Sequence, residues 1–505
     1  MVKGNLAYKY YEEEQEQEID HTYLPDPLKY TSVSLQEVIE NKLRLEASAF
    51  NLEAKAAKNK ILANRYGYVN LWSENGLVKT AFHKPRFKRI YVERKEIPFF
   101  QPSTITEVYP KPSKYISAKT KADLDDLKVK KGMLLMTVSG TIGKVAIAGN
   151  KLDNQIFSHD LLRLIGKEKY DTGYIYAYFL TEVGKKILQS NNYGAVIQHI
   201  EPEHLQNVII PNAPEALKKE IHELVIASYD LRDRSNDLLD SAEKILYGEL
   251  QLKPIEELAV DYFDNLVDLR NYTTQLEDLN LRLDCSYHLP IFNTVFNHIS
   301  QYSSDIQYLR NPNLTKSIIL PGRFKRTYVE AEHGIKFIGG KQINDLNPNS
   351  EKFLSKSIHN TRLGKELLLH ENCVLITRSG TIGKVSIVPK HWENWAANEH
   401  IIRVFPKGND IAGYLFCWLN SDYGKEMICK HTYGAVVDEI DTNHVGDIPL
   451  PILKNQSKQQ KINDLVLEAN ELRYQAHLKE QEAIQKTEKI INTTLSGVFL
   501  RVQTR

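Results

Sequence analysis

Ser139-Gly140-Thr141-Ile142-Gly143-Lys144-Val145 stands in the first half of the chain, and the same seven letters return 240 positions later as Ser379-Gly380-Thr381-Ile382-Gly383-Lys384-Val385. Outward from this anchor the echo continues in order. Arg86-Phe87-Lys88-Arg89-Ile90-Tyr91-Val92-Glu93 returns as Arg323-Phe324-Lys325-Arg326-Thr327-Tyr328-Val329-Glu330, and Tyr193-Gly194-Ala195-Val196 returns at Tyr433 to Val436. Leu43-Arg44-Leu45-Glu46-Ala47-Ser48 has its counterpart in Leu281-Arg282-Leu283-Asp284-Cys285-Ser286. Collinear matches at nearly constant offset mean that a module of about two hundred residues has been duplicated, and a period that long excludes short-repeat solenoids. Each copy is long enough to build its own core.

The anchor sits between two short apolar runs, Met133 to Val138 and Lys144 to Ala148, which read as a hairpin around a glycine-containing turn. The runs Cys373 to Arg378 and Lys384 to Val388 repeat the layout. Helical patterns follow over Ile175 to Leu188 and Ile411 to Ile428, so each module mixes helix and strand. After Pro211 and Pro214 the period changes to 3.5: Ile221, Leu224, Ser228, Leu231, Ser235, Leu238, Ala242 and Ile245 line one seam. Past Pro449 and Pro451, Ile462, Leu465, Ala469, Leu472, Ala476 and Ala483 repeat it, with Lys479 interrupting. Small residues at several seam positions favour close, antiparallel pairing, which would carry the modules to opposite ends.

The expected fold is therefore α+β: two homologous mixed α/β domains separated by long helices that form an antiparallel coiled coil, with pseudo-two-fold symmetry. The boundaries read from these patterns are an N-terminal extension at 1–29, a first domain at 30–213, a spacer helix at 214–250 and a linker at 251–280. A second domain at 281–453, a spacer helix at 454–497 and a tail at 498–505 complete the chain.

With 65 basic and 64 acidic residues the net charge is +1, which argues against a uniformly positive binder and for a focused surface. His83 to Lys95 concentrates six cations against one glutamate. No apolar run is long enough to span a bilayer and the acidic N-terminus does not resemble a signal peptide, so a cytoplasmic protein without a membrane partner is expected. Cys285, Cys373, Cys417 and Cys429 have neither metal-ligand nor disulfide-framework spacing. They read as reduced thiols, with no metal site.

Arg-Phe-Lys-Arg interleaves cations with an aromatic, a composition suited to phosphate neutralisation, although a charged edge strand would look the same. Ser-Gly-Thr-Ile-Gly-Lys fails as a nucleotide loop. Only two residues separate its glycines, and Val145 rather than Ser or Thr follows Lys144. A glycine-dependent turn accounts for the glycines, while Ser139, Thr141 and Lys144, with Ser379, Thr381 and Lys384, could offer donors to a DNA backbone. Asp26, Glu53 and Lys55 mimic a nuclease triad, but the second copy has no equivalent carboxylate and lysine. No nucleophile elbow, metalloprotease helix or Asn/Asp-Pro-Pro-aromatic tetrapeptide occurs. No catalytic residues are therefore assigned.

Taken together, the duplication, the two Pro-flanked helices and the paired Ser-Gly-Thr-Ile-Gly-Lys motifs resemble the specificity subunit of Type I restriction-modification systems, over residues 30 to 497. That resemblance implies two target-recognition domains, each reading one half of a split double-stranded DNA target. It also implies helices that dock two methyltransferase (modification) subunits, with endonuclease/translocase (restriction) subunits joining the same core. S-adenosylmethionine, ATP and magnesium would be used by those partners, and no cofactor by this chain. Under it, the DNA-contacting candidates are Arg86, Lys88, Arg89, Ser139, Thr141 and Lys144 in the first copy and Arg323, Lys325, Arg326, Ser379, Thr381 and Lys384 in the second. Base readout is expected where the copies diverge, through Gln101, Lys114, Lys341, Gln342 and Arg362. Partner docking is expected on Ile221, Leu224, Leu231, Leu238, Ile462, Leu465 and Leu472. A DNA-binding nuclease or fused Type II-like specificity protein, and a coiled-coil scaffold that binds only protein, are the alternative readings.

Overall fold

Leu134-Leu135-Met136-Thr137 is an unbroken apolar run because both its faces are covered. In the computed structural model of the chain, Leu134 and Met136 enter the core packed against the helix Asp171–Leu180, while Leu135 enters a second core on the opposite face. Val374 and Ile376 against Leu375 divide in the same way in the other copy. The structure describes residues 32–40, 43, 50–92, 95–112, 114–139, 142–190, 199–255, 257–258, 274–348, 352–434 and 437–494. The expected N-terminal extension and tail, most of the linker, the Tyr193 to Val196 repeat and most of the Leu43 to Asn51 stretch lie outside the described residues.

Each module holds two four-stranded sheets. In the first, Val78–Phe82, Leu161–Gly166, Leu134–Thr137 and Val145–Ile147 lie side by side, all antiparallel. A smaller sheet orders Tyr91–Val92, Lys114–Ile116, Ile97–Phe100 and Ile156–Phe157, the last pair parallel. The second module repeats both orders with Thr315–Ile319, Ile401–Pro406, Val374–Thr377 and Val385–Ile387, and with Tyr328–Val329, Phe353–Ser355, Gly334–Ile338 and Ala396–Ala397. The two expected hairpins are the pairs Leu134–Thr137 with Val145–Ile147 and Val374–Thr377 with Val385–Ile387.

Where one helix is expected over Ile175 to Leu188, the chain forms two, Asp171–Leu180 and Glu182–Ser190, and the second copy divides into Asn409–Asn420 and Asp422–Lys430. Thr181 and Ser421 make the break. Each is extended, and its hydroxyl accepts the backbone N–H of Gly184 (3.1 Å) or Gly424 (3.0 Å), capping the next helix. A Cβ at Gly184 or Gly424 would lie 2.1 Å from the Tyr178 carbonyl oxygen or 2.0 Å from that of Trp418, so the sharp corner requires glycine.

The long helices Glu215–Glu249 and Gln456–Asn492 are each on the order of 50 Å at 1.5 Å per residue. Their partners run in opposite senses, Glu220 with Lys486, Ser228 with Ala476 and Ser235 with Arg473, so the pair is antiparallel. Ser228 Oγ donates to the Ala476 carbonyl across the seam at 2.7 Å, a close approach that the small residues permit. The buried positions differ from the expected seam in one respect. Ile221, Ser228, Ser235 and Ala242 are buried, but Val225, Leu239 and Leu246 take the intervening places, leaving Leu224, Leu231, Leu238 and Ile245 half-buried. In the partner helix Ile462, Ala469, Leu472, Ala476 and Ala483 are buried, with Val466 in the place expected for Leu465.

The shift has a packing cause: each helix faces a module core as well as its partner helix. Ile221 and Val225 belong to the core of the first module and Leu239, Ala242 and Leu246 to that of the second. Conversely, Ile462, Val466 and Ala469 serve the second core and Ala483, Ile490 and Ile491 the first. Each module also clasps the far end of the other's helix. Asn64 donates to the Ile490 carbonyl (2.7 Å), and Tyr423 donates to the Lys253 carbonyl (3.0 Å) just past the first long helix.

Candidate nucleic-acid interface

Between the strands Val78–Phe82 and Tyr91–Val92 the chain runs extended, so alternate side chains face opposite ways. Phe87 turns inward, edge-on to Phe99 at 6.2 Å between centroids, and Phe324 does the same against Phe337 at 6.5 Å. Arg89 lies over Phe87 and Phe99 and bonds to His159 Nδ1 (2.8 Å), while Arg326 lies over Phe324 and Phe337 and pairs with Glu399. The other members of each motif, Arg86 and Lys88, Arg323 and Lys325, are exposed. Each copy therefore presents an outward cation pair on an aromatic base, with its second arginine held inward as a brace.

The Ser-Gly-Thr-Ile-Gly-Lys segment is a tight turn. Gly143 and Gly383 both adopt φ of 78°, and the lysine N–H that follows bonds to Thr137 Oγ1 (3.1 Å) or Thr377 Oγ1 (3.0 Å). Thr141 lies outside the described residues, and Thr381 is exposed. Ser139 bridges to His199, and Ser379 Oγ meets His400 Nδ1 at 2.8 Å. The two lysines, expected to face a DNA backbone, are engaged elsewhere. Lys144 reaches Asp345 of the second module at 3.4 Å, and Lys384 reaches Glu107 of the first at 3.2 Å.

Glu107 and Asp345 are themselves paired as an antiparallel bridge, so the modules touch at their equivalent residues. Val108 N–H donates to the Asn344 carbonyl (2.9 Å) and Thr106 Oγ1 to Asp345 (2.8 Å). Burial pushes both carboxyls above their ordinary values, and the lysine beside each offsets part of that. The sequence offers no signal for this contact, because its partners are more than two hundred residues apart and charged.

The same arrangement makes the first module's glycine turn face the second module's small sheet. A cleft of about 460 Å³ opens between them, and its cations are Lys144 and Lys185 from one side and Arg326 and Lys352 from the other. Among the described residues, no carboxylate lines it. A second cleft between the modules, about 360 Å³, is mixed in charge: Glu107 lines it together with Lys111, Lys384, Lys425 and Arg473, and it corresponds across the pseudo-two-fold to the neighbouring cavity lined by Lys144, Lys185 and Asp345.

Among the base-reading candidates, Lys114 and Lys341 are exposed, with Lys114 Nζ 4.6 Å from the Tyr91 ring centroid. Gln101 is half-buried at the start of a helical turn. Gln342 accepts the Gly339 N–H through Oε1 (3.0 Å), and Arg362 pairs with Glu366 (2.6 Å) while lying over Phe324. Gln342 and Arg362 thus brace the module. The intervals that diverge in sequence nevertheless contain equivalent strands, Ile97–Phe100 and Lys114–Ile116 against Gly334–Ile338 and Phe353–Ser355. The structural difference falls after them, where turns at 117–126 replace a helical segment at 360–367.

Two further features escaped the sequence reading. Arg163 and Arg403 are fully buried in the apolar strands, each bonding backbone carbonyls, as in Arg163 to Leu161 and Leu127 (both 3.0 Å), and burial lowers both to about 10. A lone arginine at the same place in Leu161-Leu162-Arg163 and Ile401-Ile402-Arg403 was the available signal. Glu480, 3% exposed, joins every part of the molecule: Tyr176 of the first module, Arg232 of the first long helix (2.5 Å) and Asn347 of the second module all donate to it. Of the nuclease-like residues, Asp26 lies outside the described residues and Glu53 pairs with Lys186 at 3.1 Å. No group of three or more His, Cys, Asp or Glu among the described residues is placed to hold a metal ion, and none of the described helices is long and apolar enough to cross a membrane.

Residues 78–226 and 323–475, together more than half of the chain, match the model of the family described as Type I restriction modification DNA specificity domain. Among solved structures, the chain is similar to the S subunit of a Type-I restriction-modification system from M. genitalium, at 12% identity and a TM-score of 0.30, covering 85% of this chain and 100% of that one. It is also similar to the HsdS subunit from Thermoanaerobacter tengcongensis, at 13% identity and a TM-score of 0.26, covering 85% and 97%. A chain from a structure of type I R-M complex assembly and conformational transition aligns at 13% identity and a TM-score of 0.26, covering 82% and 97%. No curated protein matches.

Proposed function

Because the chain belongs to the Type I restriction modification DNA specificity domain family and carries that domain twice, we propose that it is the sequence-reading subunit of a Type I complex, each module binding one half of a bipartite duplex target. What carries this reading is the outward cation pair, Arg86 and Lys88 or Arg323 and Lys325, set on the same aromatic base in both modules. Exposed cations at equivalent places on one rigid frame can hold phosphates on two stretches of one duplex, fixing register while other side chains meet base edges. The antiparallel helices give the frame approximate two-fold symmetry and so offer like surfaces to two identical methyltransferase subunits, with endonuclease/translocase subunits completing the complex. In this reading the chain is non-catalytic. Methyl transfer from S-adenosylmethionine and ATP- and magnesium-dependent cleavage belong to those partners.

The test is co-expression with the methyltransferase subunit of the same system and mapping of methylated bases, expected to return two short motifs at fixed separation. Replacing Arg86 and Lys88 with alanine should lower the slope of log affinity against log salt by about 0.9 for each phosphate that is no longer neutralised. A continuous motif, or a salt slope untouched by the replacement, would refute the reading. Magnesium-dependent plasmid cleavage by the chain alone, abolished in Glu53→Ala, would establish the nuclease alternative instead.

A further inference from the structure

The two most repeated motifs of the chain meet across the modules, not within them. In the cleft of about 460 Å³, Gly143 and Lys144 of the first module's turn, with Lys185 from the helix Glu182–Ser190, face Arg326, Tyr328 and Lys352 of the second module. Lys144, Lys185, Arg326 and Lys352 line this space without a carboxylate among the described lining residues, although acids beside it hold some of them: Lys144 reaches Asp345, Lys185 reaches Glu182 and Arg326 reaches Glu399. The cleft also carries neutral donors, Gln189, Gln342 and Asn398.

Electrostatics at its border point the same way. Lys336, in the adjoining cavity that shares Lys144 and Lys185, is lowered to about 8 by burial, with the charge of Lys185 adding to the effect. Arg326, turned inward to Glu399, follows the exposed Arg323 and Lys325 in the chain, so the cleft lies beside the strip that the proposed function assigns to the DNA backbone. Its position between the modules matches the part of the duplex between the half-sites.

We infer that this inter-module cleft is a phosphate-binding site for the backbone of the spacer DNA, with Lys185 and Lys352 as its phosphate contacts and Lys144 and Arg326, held by Asp345 and Glu399, in its wall; the inference rests on the proposed function and adds a contact that neither module makes alone. It predicts a contribution that appears with the intact bipartite target and is missing with either half-site by itself.

The experiment uses the full chain co-purified with its methyltransferase and measures affinity across a salt series for the bipartite duplex and for each half-site duplex. In Lys185→Gln/Lys352→Gln the slope for the bipartite duplex should fall by about 1.8, two phosphates at about 0.9 each, while both half-site duplexes bind as in wild type. Lys185→Arg/Lys352→Arg should keep the wild-type slope, which separates charge from packing. An unchanged bipartite slope in the glutamine variant, or equal losses on half-sites and the full site, overturns the site. Inorganic phosphate binding that disappears in the glutamine variant while its DNA slopes remain wild type would assign the cleft to a small anion and overturn the DNA assignment. Wild-type chain without preference for a bipartite duplex would instead refute the proposed function, and this site with it.

Discussion

Replacing Glu480 with alanine should be among the most damaging single changes in the chain. Its carboxylate is 3% exposed and accepts from Tyr176, Arg232 and Asn347, which lie on three other parts of the molecule. Burial alone would lower the Arg232 guanidinium, and the charge and hydrogen bond of Glu480 together with Tyr176 and Tyr229 more than reverse that, with Glu480 the largest of these. Arg232 Nε already lacks a hydrogen-bond partner among the described residues, and its side chain is 12% exposed, which leaves little water to compensate. Breaking such a buried pair from one side costs about 3–5 kcal/mol, most of it the penalty of the stranded charge. Urea unfolding followed by circular dichroism should show that loss in Glu480→Ala. The double variant Arg232→Met/Glu480→Leu, which removes both charges but leaves Tyr176 and Asn347 without their acceptor, should recover the stranded-charge part of that loss and keep the cost of the two unmade hydrogen bonds. A loss below about 1 kcal/mol in the single variant, or a double variant no better than the single, would refute the argument that the pair is buried and mutually dependent.

Two further outcomes follow from buried groups. His391 and His477 stack at 4.0 Å between ring centroids and are lowered to about 3 and about 4, mainly by burial and, for His391, next by the charge of His477. Both are neutral in the fold, so their contribution is complete above the ordinary value of 6.5 and is lost as pH falls from 6.5 toward 4. Stability should decline by about 1.4 kcal/mol per pH unit for each histidine in that window; urea midpoints at pH 7 and pH 5 measure it, and His477→Gln should flatten the decline. Gly424→Ala, which places a methyl 2.0 Å from the Trp418 carbonyl oxygen, should cost at least about 1–3 kcal/mol in the same assay, whereas a neutral result would mean that the corner between the two helices can open.

The duplication, the hairpin around the glycine turn and the two long helices were legible because each is local: seven identical letters, two short apolar runs flanking glycines, a period near 3.5. Within the helices the sequence marked Ile221, Ser228, Ser235 and Ala242 correctly, since their spacing alone defines a seam. It placed Leu224 and Leu238 where Val225 and Leu239 belong because periodicity describes one contact face, whereas each helix here buries a second face in a module core. The helix break at Thr181 was available in principle, as a hydroxyl followed three residues later by glycine, but one helical pattern continuing from Ile175 to Leu188 masks such a cap.

The sequence by itself determined that one reader is present twice, joined by antiparallel helices, and that its surface charge is concentrated in short motifs. It did so because propensity, patterning and repetition are written within a few tens of residues. Only the tertiary structure decided which of those charges face outward. Alternation along an extended segment exposes Arg86, Lys88, Arg323 and Lys325, and stacks Arg89 and Arg326 on phenylalanines. It also linked the candidate backbone contacts Lys144 and Lys384 to Asp345 and Glu107. A lysine's role depends on which carboxylate or phosphate lies within a few ångströms, and that distance is set by the meeting of two modules, which no local pattern encodes.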